Sequence, residues 1–204
     1  MRRIGRIALA CLLGGGQAFA GALVVSVHDR AGPVADVIVA LEPLDPPAAG
    51  VAAHADVDQV DKRFIPRISV VRTGTSVAFP NSDRIRHEVY SFSPTKTFTL
   101  KLYAGRTAPP VVFDRPGLVV LGCNIHDTMV GFVAVVDTPY FGRTDAKGEL
   151  ALSAPAGRYR LRVWHPDLDR AVPLQPVALT ADAKPIAVEI SRAPNPGTVG
   201  PWTD

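Results

Sequence analysis

The sequence predicts an all-β chain, and three observations carry that prediction. Its 17 glycines and 19 prolines are spread along the whole length, so apolar runs stay short. Those runs are rich in Val, Ile, Thr and Phe, which fit a pleated, half-buried surface. Almost nowhere does a 3.6-residue apolar period last long enough to define a helix.

Taken in order, Ala22–Val27 (Ala-Leu-Val-Val-Ser-Val) reads as a strand. The turn residues Asp29-Arg30-Ala31-Gly32-Pro33 follow, then a second strand at Val37–Leu41. Pro43, Pro46 and Pro47 close this unit, and Ala48–Asp61 reads as a short helix or a loop. Phe64–Val71, Ser76–Phe79, Val89–Ser91, Thr97–Tyr103, Val111–Phe113, Leu118–Leu121 and Val130–Val136 are the next strands. Beyond Asp137-Thr138-Pro139 come a turn at Thr144–Gly148, a strand at Glu149–Leu152, and a turn at Pro155–Tyr159. In Tyr159–Trp164, Tyr159, Leu161 and Val163 alternate onto one face, and Leu174–Leu179 and Ile186–Ile190 supply two more strands. The end of the chain, 192–204, lacks any periodic apolar pattern and is expected to be a flexible tail.

The N-terminus has the layout of a secretory signal peptide over 1–20. Arg2, Arg3 and Arg6 make a basic start, Ile7–Leu13 an apolar stretch, and Ala18-Phe19-Ala20 a small-x-small cleavage signal. The apolar stretch is too short for a membrane span, so a periplasmic protein without stable membrane insertion is expected. Cleavage there removes three arginines, taking Lys+Arg from 22 to 19, level with the 19 Asp+Glu. A near-neutral mature chain gives no electrostatic argument for nucleic acid. Of the 2 cysteines, Cys11 leaves with the signal peptide. Cys123 then has no disulfide partner, and in an oxidising compartment it needs burial or a metal to protect it.

Cys123 opens the stretch that carries chemistry, Cys123-Asn124-Ile125-His126-Asp127-Thr128-Met129. A thiol, an imidazole and a thioether at Cys-x2-His-x2-Met spacing, in a loop between two strands, can turn toward one point. His87, after the loop Asn81–Arg86, is the candidate fourth ligand. Two imidazoles, a thiolate and a weak axial thioether form the ligand set of a blue-copper electron-transfer centre. Asn81, Glu88 and Asn124 are candidates to brace those ligands by hydrogen bonds. Ile125, with Arg84 and Arg86 flanking the His87 loop, is a candidate docking patch for a redox partner. His28, His54 and His165 are expected to be solvated or capping residues, with His54 the best of them as an extra ligand.

These residues resemble the cupredoxins. The resemblance covers about Asp56 to Val136 and rests on Phe64-x-Pro66, Gly74-Thr75-x-Val77-x-Phe79, Asn81-x-Asp83-x3-His87 and Cys123-x2-His126-x2-Met129. The short ligand loop is similar to that of amicyanin, and the longer run resembles bacterial plastocyanin-like proteins labelled methylamine utilization proteins. The resemblance implies a Greek-key β-sandwich with one type 1 copper at one end, held by His87, Cys123, His126 and Met129, and electron transfer as the activity. Two positions depart from the pattern: Glu88 stands where many cupredoxins have asparagine, and Gly122 where many have an aromatic residue. The second departure puts in doubt an electron route through a tyrosine beside Cys123. The flanks, Gly21–Leu41 and Thr144–Tyr159, resemble a carboxypeptidase regulatory-like β-sandwich module.

The expected organisation is a signal peptide (1–20), N-terminal strands of the regulatory-like sandwich (21–47), a cupredoxin unit (56–137) inserted into it, the remaining strands (138–191) and the tail (192–204); the alternative is a simple tandem with an extra N-terminal hairpin. The expected function is an exported carrier of single electrons between redox proteins, a monomer and not an enzyme. A Cu(I) storage or delivery protein is the alternative, but beyond Met1 the chain holds only Met129 of its 2 methionines. A thiol enzyme using Cys123 with His126 as base lacks an orienting third residue and leaves Met129 unexplained.

Overall fold

A computed structural model describes residues 19–45, 53–105, 108–193 and 202. The expected signal peptide lies outside these residues except for Phe19 and Ala20, which open the first strand.

The strands in chain order are β1 (Phe19–Asp29), β2 (Gly32–Pro33), β3 (Ile38–Pro43), β4 (His54–Asp56), β5 (Asp58–Val60) and β6 (Arg63–Ile65). Next come β7 (Ile68–Arg72), β8 (Thr75–Ala78), β9 (His87–Ser93), β10 (Lys96–Tyr103), β11 (Val111–Phe113), β12 (Gly117–Gly122) and β13 (Val130–Val136). The chain finishes with β14 (Phe141–Arg143), β15 (Glu149–Pro155), β16 (Gly157–Trp164), β17 (Gln175–Leu179) and β18 (Ile186–Glu189). No helix of the described residues is long and apolar enough to cross a membrane.

The strands build two β units with the topology of an insertion. In the outer unit β1 lies between β15 and β18, while β3 lies between β14 and β16, which also pairs with β17. The first and last parts of the chain thus complete each other's sheets, and β4 to β13 form a second unit between β3 and β14. That inner unit has a five-stranded sheet, β10-β9-β12-β13-β7, a three-stranded sheet, β11-β8-β4, and the β5–β6 hairpin.

Each unit has its own core, and β13 serves both. Val133 and Val135 belong with Phe79, Val89, Phe113 and Leu121 in the inner core. Phe132 and Ala134, on the other face of the same strand, pack with Ile68 among Leu23, Ile38, Leu161 and Trp164 of the outer unit. This explains why Val130–Val136 is almost continuously apolar: a strand covered on both faces has no solvent side to mark with polar residues. Phe132 is 4 % exposed. Its ring meets Trp164 edge-on at 5.8 Å and lies under the Arg67 guanidinium at 5.2 Å.

Three parts differ from the sequence reading. Within Ala48–Asp61, read as a short helix or a loop, the described residues hold two strands, β4 and β5. His54, Ala55 and Asp56 pair in parallel with Ser76, Val77 and Ala78, so tertiary pairing overrides a weak local pattern. Phe64–Val71 is two strands, not one, because Pro66 has no N–H to continue a ladder. In the expected tail, Arg192 pairs with Asp29 (2.6 Å), and Trp202 packs on Trp164 at 6.0 Å with the Arg162 guanidinium 4.7 Å above its ring.

Since β13 is shared, Phe132→Ala should weaken both units together. We expect a loss of about 3–5 kcal/mol, the range for truncating a buried phenylalanine, in urea unfolding followed by fluorescence and circular dichroism. Two separate transitions in the native chain would contradict the shared-strand account.

Candidate metal centre

The proposed ligands meet at one end of the five-stranded sheet. Cys123 directly follows β12 and His87 is the first residue of β9, an adjacent antiparallel strand in which Tyr90 stands opposite Gly122. The 123–129 loop then returns to β13 through a tight turn, in which Met129 N–H donates to the His126 carbonyl at 2.9 Å. Neighbouring strand ends and one short hairpin loop therefore fix the cluster.

The ligand atoms of His87, Cys123 and His126 all lie within 4.8 Å of one another. Cys123 Sγ is 3.7 Å from His87 Nδ1 and 4.0 Å from His126 Nδ1. Bonds of about 2.0–2.3 Å, usual for imidazole and thiolate ligation of a first-row metal, would put trigonal ligand atoms about 3.6–3.8 Å apart. The donors are thus spaced to share one small ion. His87 is 0 %, Met129 1 % and Cys123 3 % exposed, while the His126 ring is half-buried. Met129 joins Cys123 in the inner core. A thiolate, two imidazoles and a buried thioether suit copper better than a hard oxygen-seeking cation or a closed zinc site.

The His87 ring is bonded to Asp83, which in the sequence stands only as part of the Asn81-x-Asp83-x3-His87 motif. Its Oδ2 lies 2.7 Å from His87 Nε2. The same carboxylate accepts the backbone N–H groups of Asp61 at 2.7 Å and Lys62 at 2.9 Å. Burial raises the pKa of this carboxyl, but the bonds from Lys62, His87 and Asp61 outweigh it and hold the group below the usual carboxylate range.

The three expected bracing residues behave differently from one another. Asn81 is buried and holds the His87 loop in shape. Its Nδ2 donates to the carbonyls of Ile85 at 2.9 Å and Tyr103 at 2.9 Å, and its Oδ1 accepts the Asp83 N–H at 3.0 Å. Glu88 is half-buried and Asn124 exposed; among the described residues neither side chain bonds to a ligand. Beneath the loop, Gln59 Nε2 donates to the Tyr103 hydroxyl at 2.6 Å, and Tyr103 donates to the Phe79 carbonyl. Burial pushes the Tyr103 hydroxyl up to about 12, against the lowering effect of the Gln59 bond, so it stays a neutral donor.

Of the candidate docking residues, Ile125 is 52 % exposed, and Arg84 and Arg86 are exposed without an ion pair among the described residues. His28 and His54 are exposed. His165 is 5 % exposed and caps a turn by accepting the Asp167 N–H at 3.2 Å, so it is a buried capping residue and not a solvated one.

A scan against protein-family models finds no match, and a search of curated proteins finds none. Solved structures do resemble part of the chain. One is the copper-containing nitrite reductase of Thermus scotoductus SA-01, 25% identical over 45% of this chain and 25% of its own, with a TM-score of 0.39. The chain therefore spans about a quarter of that reductase. Another is a reduced, Cu(I) amicyanin variant, 19% identical over 48% of this chain and 98% of its own, with a TM-score of 0.37. A pseudoazurin from Sinorhizobium meliloti is 18% identical over 41% and 74%, with a TM-score of 0.33. The likeness is one of partial β architecture.

Position 122 holds one more surprise. The aromatic residue absent from the sequence there is replaced in space by Tyr90, whose ring lies on the Gly122 backbone. A Cβ at Gly122 would stand 2.6 Å from Tyr90 Cζ, closer than real contacts allow. Phe92, 76 % exposed, packs on Tyr90 at 4.9 Å with the rings tilted by 39°. Gly122→Ala should accordingly force the Tyr90 ring to move and cost about 1–3 kcal/mol, the usual range for overpacking. Thermal unfolding checks this, and an unchanged melting temperature would mean that the ring yields freely.

Proposed function

We propose that this chain is an exported type 1 copper protein that passes single electrons between redox proteins. The observation that carries this reading is the convergence of one ligand atom each from His87, Cys123 and His126 within 4.8 Å, beside a buried Met129. Copper bound there would supply a one-electron Cu(II)/Cu(I) couple.

The chain's own residues define what that couple meets. Cys123 as thiolate supplies the strong anionic donor, and its burial keeps oxidants and competing thiols away. His87 is wholly buried, whereas the half-buried His126 ring offers the shortest way from the cluster to the surface. Met129 would hold the ion as the fourth ligand through a weak, adaptable thioether, and the packed core around it restrains that side chain. Ile125 presents an apolar contact next to His126. Arg84 and Arg86 add positive charge on the adjoining loop, a field that draws negatively charged partners.

The seclusion of Cys123 and His87 favours a resident ion over one that is handed on, which sets the storage or delivery reading second. The outer unit shows no cluster of metal ligands among its described residues, and in this reading it is a scaffold for the inner one. The near-neutral charge after residue 20 agrees with a protein partner and not with nucleic acid.

The test is the visible absorption spectrum of the protein with Cu(II). An intense blue thiolate-to-copper band, lost in Cys123→Ser, is expected. Tight Cu(I) binding without such a band would replace the electron carrier by the storage reading. Failure to bind either copper state would end both.

The basic loop gives a second measurement. Exchanging Arg84 and Arg86 for glutamate should slow oxidation of the Cu(I) protein by the anionic complex ferricyanide by about tenfold at low ionic strength, a difference that salt erases. An unchanged rate would remove these arginines from the docking surface.

A further inference from the structure

We infer that Asp83, clamped by the β5–β6 hairpin, sets the tautomer of His87 before any metal arrives, so that this imidazole offers only Nδ1 to the ligand cluster. The consequence for copper rests on the function proposed above; the tautomer itself does not.

An ionised carboxylate can only accept hydrogen bonds. With Asp83 Oδ2 at 2.7 Å, Nε2 of neutral His87 must carry the ring proton, and Nδ1 is left with its lone pair. That Nδ1 is the atom 3.7 Å from Cys123 Sγ. His87 is 0 % exposed, so water does not compete for either nitrogen.

Asp83 is not free to turn away. Its Oδ1 takes the Asp61 N–H at 2.7 Å, and its Oδ2 takes the Lys62 N–H at 2.9 Å. Asp61 and Lys62 have φ of 51° and 58° and form the two-residue turn between β5 and β6, a connection that needs positive φ at both positions. In that turn two successive amides face one carboxylate.

The hairpin in turn is stitched to the loop it clamps. Ser82 Oγ donates to Asp58 Oδ2 at 2.7 Å, Ser82 N–H to the Gln59 carbonyl at 3.0 Å, and Gln59 N–H to the Pro80 carbonyl at 3.0 Å. The β5–β6 pair is a two-stranded sheet of its own, and this clamp gives it a purpose. Asp83 is therefore a positioning residue: it touches no metal, but it orients His87 and raises the basicity of Nδ1, which favours the oxidised ion.

The experiment is long-range 1H–15N NMR of the metal-free, 15N-labelled protein, followed by Cu(II) titration and a potentiometric midpoint. We expect wild-type His87 to be a single Nε2–H tautomer. In Asp83→Asn an NH2 group standing where Oδ2 was takes the acceptor from two of the three donors, Lys62 N–H and His87 Nε2–H. The tautomers should then mix, Cu(II) affinity should fall about 10–100-fold and the midpoint should rise, with β-sheet circular dichroism unchanged. Asp83→Glu, which keeps the charge, should recover part of the affinity. An Nδ1–H tautomer in the wild-type protein overturns the inference even if no variant folds. So does an Asp83→Asn protein with the wild-type tautomer and affinity. If the wild-type protein shows the Nε2–H tautomer but binds no copper, the copper reading fails and the positioning of His87 stands.

Discussion

Everything in this molecule hangs on the burial of β13 on both faces. The strand starts one residue after Met129 and runs between β12 and β7, with Val133 and Val135 in one core and Phe132 and Ala134 in the other. A strand so enclosed cannot slip by one residue, since that would exchange the contents of two cores at once. The register of β13 therefore fixes where the 123–129 loop ends, and with it the position of Met129 and His126. Precision at the ligand cluster is a by-product of packing between the units.

Local polar anchoring completes what packing starts. His87 cannot be held by the hydrophobic core alone, because a buried imidazole needs partners for both nitrogens. The Asn81 amide closes the loop, Gln59 and Tyr103 support it from below, and Asp83 receives the Nε2 side. Each of these groups is in turn bonded to backbone. The apolar sheet and the polar loop thus share the work: the sheet sets distance and the loop sets ring orientation.

Much of this was legible in the sequence. Cys123, His126 and Met129 are close in the chain, so their convergence requires only a short loop, and His87 stood out as an imidazole following an Asn-Asp loop. The strands β9 to β13 fall where the short apolar runs put them. What escaped notice depended on pairing through space. Asp83 carries the signal of a carboxylate four residues before a histidine, but nothing local says that a hairpin some twenty residues upstream will clamp it. Tyr90 fills the place at Gly122 from a neighbouring strand, which no inspection of the position beside Cys123 can reveal. Strands β4 and β5 have too few apolar residues to declare themselves and owe their form to their partners. Trp202 is a lone aromatic without a pattern, and only Trp164 and Arg162 give it a seat.

The interleaving of the outer unit constrains how the chain can mature. β1 and β3 are synthesised first, yet the strands that flank them, β14, β15, β16 and β18, appear only after the whole inner unit has been made. Until then Val25, Val39 and Leu41 have no sheet to join, whereas β4 to β13 already contain their own core. Assembly as the chain emerges is therefore not N-terminal first, as it is for most chains. The ligand-bearing unit can close early, and the two ends then zip around it, so a chain broken after β13 loses its beginning as well as its end.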